Sequence, residues 1–154
     1  MKRIVTVLIV LILTAPALLA QESLRDVVRD YQNKNSEFTL VIPSFLIKVG
    51  LAFGEIEDEE REVLEMIDDM KIVICDNHFH KSDFMMLEEG INNGNFAEVM
   101  TVNDGNDKIR MIMNQRTKRK SEMLMLVESD DESVLMLFNF HGEPDFGKFL
   151  SLAD

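Results

Sequence analysis

The chain holds a single cysteine, so no disulfide can close within it. Its stability has to come from packing. Basic residues are scarce: 16 Lys and Arg stand against 28 Asp and Glu, a formal net charge of −12. Such a surface repels nucleic acid and anionic lipid. No aromatic residues interleave with the one basic cluster, as single-strand recognition would need. The chain has no phosphate-binding glycine loop, no dinucleotide fingerprint and no G-x-S-x-G elbow. It also has no repeat, low-complexity tract or long linker. These absences leave one domain that works without a standard nucleotide or hydrolase motif.

What is present begins with Lys2 and Arg3, an apolar run from Ile4 to Leu13, and small residues ending in Ala20. This reads as a secretory signal peptide over residues 1–20, cut before Gln21. A cut after Ala17 is the alternative, and an uncleaved anchor is the competing reading, because the apolar span nearly reaches membrane thickness. The leader holds two basic residues and no acidic ones. The remainder, 21–154, therefore carries 14 basic against 28 acidic residues, or −14. Its 134 residues suffice for one domain with a real core. The expected location is the periplasm or cell envelope, with membrane contact only through the leader or peripherally.

Leu24, Val27, Val28 and Tyr31 recur at helical spacing behind Ser23, a candidate cap. Phe38–Ile42 alternates as a strand stopped by Pro43, which can open the next helix, through "SFLIKVGLAF". In "EIEDEEREVLEMIDDM", Ile56, Val63, Leu64, Ile67 and Met70 form one helical stripe beneath an acidic face. "KIVIC" is a strand, and a helix follows with Phe84, Leu87 and Ile91. Then come "FAEVMTV", the turn "NDGN", "KIRMIMNQ", "SEMLMLVE" and "SVLMLFNFH", an antiparallel meander. "EPDFGKFLSL" suits a closing helix, with Phe146, Phe149 and Leu150 facing the sheet. The fold class is α+β: a two-layer sandwich with a mixed, mostly antiparallel sheet and helices on one face.

The order of parts resembles DUF4252, an uncharacterised family of secreted Bacteroidetes proteins. The segments carrying the resemblance are the leader, "FTLVIPSFLIKV", the acidic helix and "KIVIC" strand, "NFAEVMTVNDGNDKIRMIM", and "SEMLMLVESDDESVLMLFNFHGEPDFGKFLSL". The resemblance implies export and a small α+β domain. It implies no activity, substrate or cofactor.

The stretch from Lys71 to Asp83, "KIVICDNHFHKSD", gathers Cys75, His78, His80 and Asp83. Zinc could use them, but no second cluster locks the loop. The simpler reading makes Cys75 a small buried hydrophobe and the histidines loop residues. The acidic helix and the "NDGND" turn lack the donor spacing of a calcium loop. His141 beside Glu143 could act as an acid–base pair. "RTKRK" sets Arg116, Lys118, Arg119 and Lys120 at a hairpin tip. That tip is either a solubilising pole or a dock for an acidic partner.

In the meander Met111, Met113, Met123 and Met125 alternate with Arg110, Ile112, Leu124 and Leu126, and both faces of the fifth strand are apolar. The helices are expected over one of them. The other, bearing Ile112, Leu124, Leu126, Leu135 and Leu137, is then the candidate binding face, since it is too apolar to leave in water. The N-terminal helix folding across it is the plain alternative. The function expected is a non-catalytic binding or protein-interaction module without a cofactor. Its partner would be an envelope protein or a second copy, not nucleic acid. The alternative is a small secreted hydrolase or metal-dependent enzyme using His78, His80 or His141.

Overall fold

The computed structural model describes residues 23–35, 38–54, 57–76, 78–117, 119–130, 132–142 and 144–145. The expected leader, Ile56, Lys118, Glu143 and the closing helix with Phe146, Phe149 and Leu150 lie outside the described residues, as does the side chain of Arg116. The elements run α1 (Leu24–Lys34), β1 (Phe38–Pro43), α2 (Ser44–Phe53), α3 (Asp58–Glu65), β2 (Ile67–Cys75), a 3-10 turn (Lys81–Phe84), α4 (Met85–Asn92), β3 (Ala97–Asp104), β4 (Asp107–Thr117), β5 (Lys120–Glu128) and β6 (Ser133–His141). The six strands form one sheet in the order β1-β2-β6-β5-β4-β3. Every neighbouring pair is antiparallel. The fold is α+β, and β3 to β6 are the expected meander.

Local chemistry explains most of the element ends. Ser23 caps α1: its hydroxyl accepts the Asp26 N–H at 3.2 Å, while the Asp26 carboxylate accepts the Ser23 N–H at 3.3 Å. Pro43 stands at the cap position of α2, where its missing N–H costs nothing. Gly105, at φ +63, closes the β3–β4 turn in a conformation few other residues adopt.

One boundary moves. Ile67 and Met70 do not continue the acidic helix; they open β2. Ile67 pairs with Phe140 and Met70 with Phe138. Met66 reaches the same strand end, its carbonyl accepting the His141 N–H at 3.0 Å. Nine residues of β6 need a partner of matching length, and that ladder outweighs the helical spacing of the side chains. The crossover through α2 and α3 therefore joins two antiparallel neighbours.

The sheet has two differently treated faces. On one, α1, the 3-10 turn and α4 bury Val73, Cys75, Ile112, Leu124, Leu126, Leu135 and Leu137 into a single core with Leu24, Val28, Phe84 and Leu87. The other face carries Met111, Met123, Phe138 and Phe140, with Met70, Met100, Met113, Met125 and Met136 beside them. Among the described residues, only Ile47 of α2, Leu64 of α3 and Met66 join that second cluster from outside the strands.

A ring of polar side chains pins α1 to the sheet. The buried Glu122 carboxylate accepts the Leu24 N–H at 2.8 Å, satisfying an otherwise orphaned donor at the helix start. Arg25 donates to Asn139 at 2.9 Å and to Asp69 at 3.0 Å. At the other end of α1 the Tyr31 hydroxyl donates to the Cys75 sulfur at 3.2 Å.

Ser133 is fully buried next to this core, and its hydroxyl has no hydrogen-bond partner. Removing it should help. Ser133→Ala is expected to stabilise the protein by about 1 kcal/mol. Urea unfolding checks this; a destabilised variant would show that the hydroxyl is satisfied in solution.

Candidate functional site

The five residues expected to form a binding face are core. Leu124 and Leu135 are completely inaccessible, as is Ile112, and Leu126 reaches only 5% exposure. The helices α1 and α4 lie on them. The plain alternative, the N-terminal helix folding across, is therefore what that face does, with α4 completing the cover. Among the described residues, the apolar face with the lighter helix cover is the opposite one, where the methionines stand, although Met111, Met123, Phe138 and Phe140 are buried within it.

Pairing registers lay this methionine face out in rows. Leu40, Ile72, Met136, Met125, Met111 and Met100 run straight across all six strands. On one side lies the row Phe38, Ile74, Val134, Val127, Ile109 and Val102. On the other lie Ile42, Met70, Phe138, Met123, Met113 and Ala97. No charged or polar side chain interrupts these rows. At about 4.8 Å between strands, the face is roughly 24 Å wide. Its centre is partly shielded, with Met111 and Met123 buried, but Phe38 is 66% exposed and Val102 41%.

The helix α2 continues this surface. It packs on β1 and β2, and α3 packs beside it. Of its ten residues only Leu51 is buried. Phe45, Leu46, Val49 and Phe53 are exposed, Phe53 by 87%. Lys48 is the only charged residue between Phe38 and Phe53. Among the described residues, only Leu51 and the half-buried Ile47 of this helix are packed, which leaves most of its apolar surface exposed.

The histidines do not converge. His78 Nδ1 lies 3.1 Å from Glu128 at the end of β5. His141 Nδ1 lies 3.0 Å from Asp68, and His141 pairs with Lys120 at the start of β5. Eight strand residues separate those ends, roughly 27 Å. Cys75 is buried, and the Tyr31 hydroxyl donates to its sulfur. Among the described residues no group of three or more His, Cys, Asp or Glu side chains could hold a metal.

A small cleft of about 120 Å³ lies between the 3-10 turn and the sheet, lined by Phe79, His80, Phe84, Glu88, Lys108, Arg110 and Glu128. Ligand pockets are usually several times larger. Its central charge is already engaged. Arg110 donates to Glu88 at 2.7 Å and also to Glu98. Burial pulls the Arg110 pKa down, but the bonds to the two glutamates outweigh it and hold the group above its ordinary value. The Glu98 carboxyl is pushed below its usual 4.5 by the Thr101 hydroxyl and by Arg110. A depressed carboxyl contributes stability above its unfolded pKa and loses it as pH falls through the folded value. Glu98 is largely exposed, so about half a kcal/mol is at stake. Glu98→Gln should therefore flatten the fall of melting temperature between roughly pH 5 and pH 3; an unchanged acid limb would rule this out.

The strands on either side of the expected hairpin tip pair, Thr117 with Lys120. The Arg119 carbonyl accepts the Gly142 N–H at 2.8 Å.

Residues 31–147 match the family described as a domain of unknown function, DUF4252. The chain belongs to this family. The match runs from Tyr31 in α1 past the end of β6, so the methionine face and α2 both lie inside the DUF4252 domain. Comparison with curated proteins and with solved structures gave no match. Among the described residues no helix is long and apolar enough to cross a membrane.

From the sequence the methionine-rich strands read as core ahead of sheet-face contact, because Met fills irregular cores and adaptable interfaces alike. Met is the flexible gap-filler of adaptable surfaces, and the branched Leu and Ile of the alternate positions are the better residues for a fixed core.

Proposed function

We propose that this DUF4252 protein is a non-catalytic binding or protein-interaction module of the periplasm or cell envelope. It holds an apolar segment of a protein partner against its methionine face. What carries the reading is the set of three uninterrupted apolar rows across six strands, continued by the exposed α2. Methionine suits such a role, because its unbranched, polarisable side chain repacks around varied shapes. The acidic remainder of the surface keeps the domain soluble while this face is empty.

The enzyme alternative would need His78, His80 or His141 to share a site with a nucleophile or metal. His78 and His141 stand at opposite ends of β5, and no observation favours that reading.

Two measurements test the proposal. A photo-crosslinking residue placed at Met125 or Met136 in the exported protein should give discrete protein adducts. The same residue at Lys108 should not. Adducts at Lys108 alone would overturn the assignment. Export itself is read from the leader, and mass spectrometry should find a mature chain beginning at Gln21; a retained leader would count against it.

A further inference from the structure

We infer that β1 is a pairing edge, and that its partner is the β1 of a second copy of this chain. The two outer strands of the sheet are built differently. β3 is protected: it carries Glu98 and Asp104, and a bulge between Glu98 and Met100 breaks its register. Charges and bulges are what keep an edge from pairing. β1 has neither. Its sequence "FTLVIP" is uncharged, its register with β2 is unbroken, and Leu40 and Val41 are 46% and 53% exposed. Those two residues point to opposite faces, and among the described residues no strand pairs with the outer edge of β1.

Symmetry restricts the register. A two-fold axis through the sheet must place like faces together, so the ladder centres on a residue of β1. Centring on Leu40 sets it against the partner's Leu40, sets Phe38 against the partner's Ile42, and sets Thr39 against the partner's Val41. Pro43, which has no N–H to donate, falls outside this five-residue ladder. A ladder of that length is small for a stable interface, which takes about 800 Å² from each partner. The chain supplies more: α2 starts immediately after Pro43, so its exposed Phe45 stands at the end where the partner's Phe38 arrives. The rows of the methionine face then run on into the second copy, making one twelve-stranded surface.

Charge decides between a second copy and a foreign basic strand. Residues 38–53 carry one charge, Lys48, and no carboxylate, so two copies meet there without local repulsion. The acidic side chains Asp58, Glu62 and Glu65 of α3 lie beyond α2 and are exposed. They oppose approach at long range, where salt screens them. Self-association should therefore tighten with salt, whereas capture of a basic segment would loosen. This pairing does not depend on what the methionine face binds.

Sedimentation of the mature protein at about 100 µM should give twice the chain mass, with the dimer favoured as salt rises from about 50 mM to about 0.5 M. Leu40→Lys sets two like charges opposite each other and should weaken the dimer roughly tenfold or more. Leu40→Glu should do the same, and mixing the two variants should restore a heterodimer. Leu40→Cys should form a covalent dimer on oxidation, because directly opposed antiparallel residues lie within disulfide reach. The buried Cys75 does not compete. Val102→Cys, on the far edge, should not crosslink. A wild-type protein that stays monomeric throughout would overturn the proposal. So would a Leu40→Lys variant that remains a dimer, or a dimer that loosens with salt. Failure here leaves the photo-crosslinking result untouched, so the two readings fail separately.

Discussion

Leu124→Lys is expected to yield no folded protein, whereas Met125→Lys, one residue further along the same strand, should fold and lose partner capture. Leu124 has no exposed surface and sits beneath α1 among Leu135, Leu137 and Ile112. A lysine there must either bury an unpaired ammonium or open the helix layer to water. Truncating such a leucine already costs about 2–5 kcal/mol. An uncompensated buried charge adds several more, enough to exceed the whole stability of an ordinary domain. Met125 is only partly buried and lies in the middle of the opposite face. Its lysine replacement can lay the stem along Met111 and Met136 and lift its charge into water, at roughly 1–2 kcal/mol. Circular dichroism and urea unfolding of the two variants decide the matter. The reverse order of severity would mean that the leucine face is the open one and would remove the structural basis of the proposed function.

Gly90→Ala is expected to destabilise the protein by about 2 kcal/mol, although alanine is the better helix former by about 1 kcal/mol. The reason is Phe96. After α4 the chain folds back, and the Gly90 carbonyl accepts the N–H groups of Asn95 at 2.8 Å and Phe96 at 3.0 Å. Gly94, at φ +75, makes that reversal possible. The Phe96 ring is thereby laid on the α-carbon of Gly90. A β-carbon there would stand 2.2 Å from Cδ2 and 2.3 Å from Cε2. Phe96 is only 3% exposed, so its ring has nowhere to retreat. The melting temperature should fall by roughly 8 °C. Phe96→Leu should recover part of the loss in the double variant, since the clash is shared between the two sites. If Gly90→Ala instead raised the melting temperature, helix propensity would govern this position and the ring contact would be absent in solution.

The sequence by itself determined much of the element order and the two-sidedness of the sheet. Period-two alternation in Phe38–Ile42 and in β4 to β6 can satisfy a pleated strand and nothing else. Ser23 with Asp26 marks a helix start, Pro43 the change from strand to helix, and the Asp104–Asp107 turn a hairpin. These signals are local, and local chemistry is enough to express them. It could not say which sheet face is inside. Ile112, Leu124 and Leu135 look as apolar as Met111, Met125 and Met136, so alternation separates the two sets without ranking them. The ranking comes from where α1 and α4 dock, which depends on contacts far apart in the chain: Leu24 on Glu122, Arg25 on Asn139 and Asp69, Tyr31 on Cys75. The same holds for Ile67 and Met70, whose helical spacing yields to the length of β6. It holds too for the edge position of β1, since which strand lacks a neighbour is a property of the assembled sheet. Side-chain period is written residue by residue; burial is a relation between segments, and only the tertiary structure creates it.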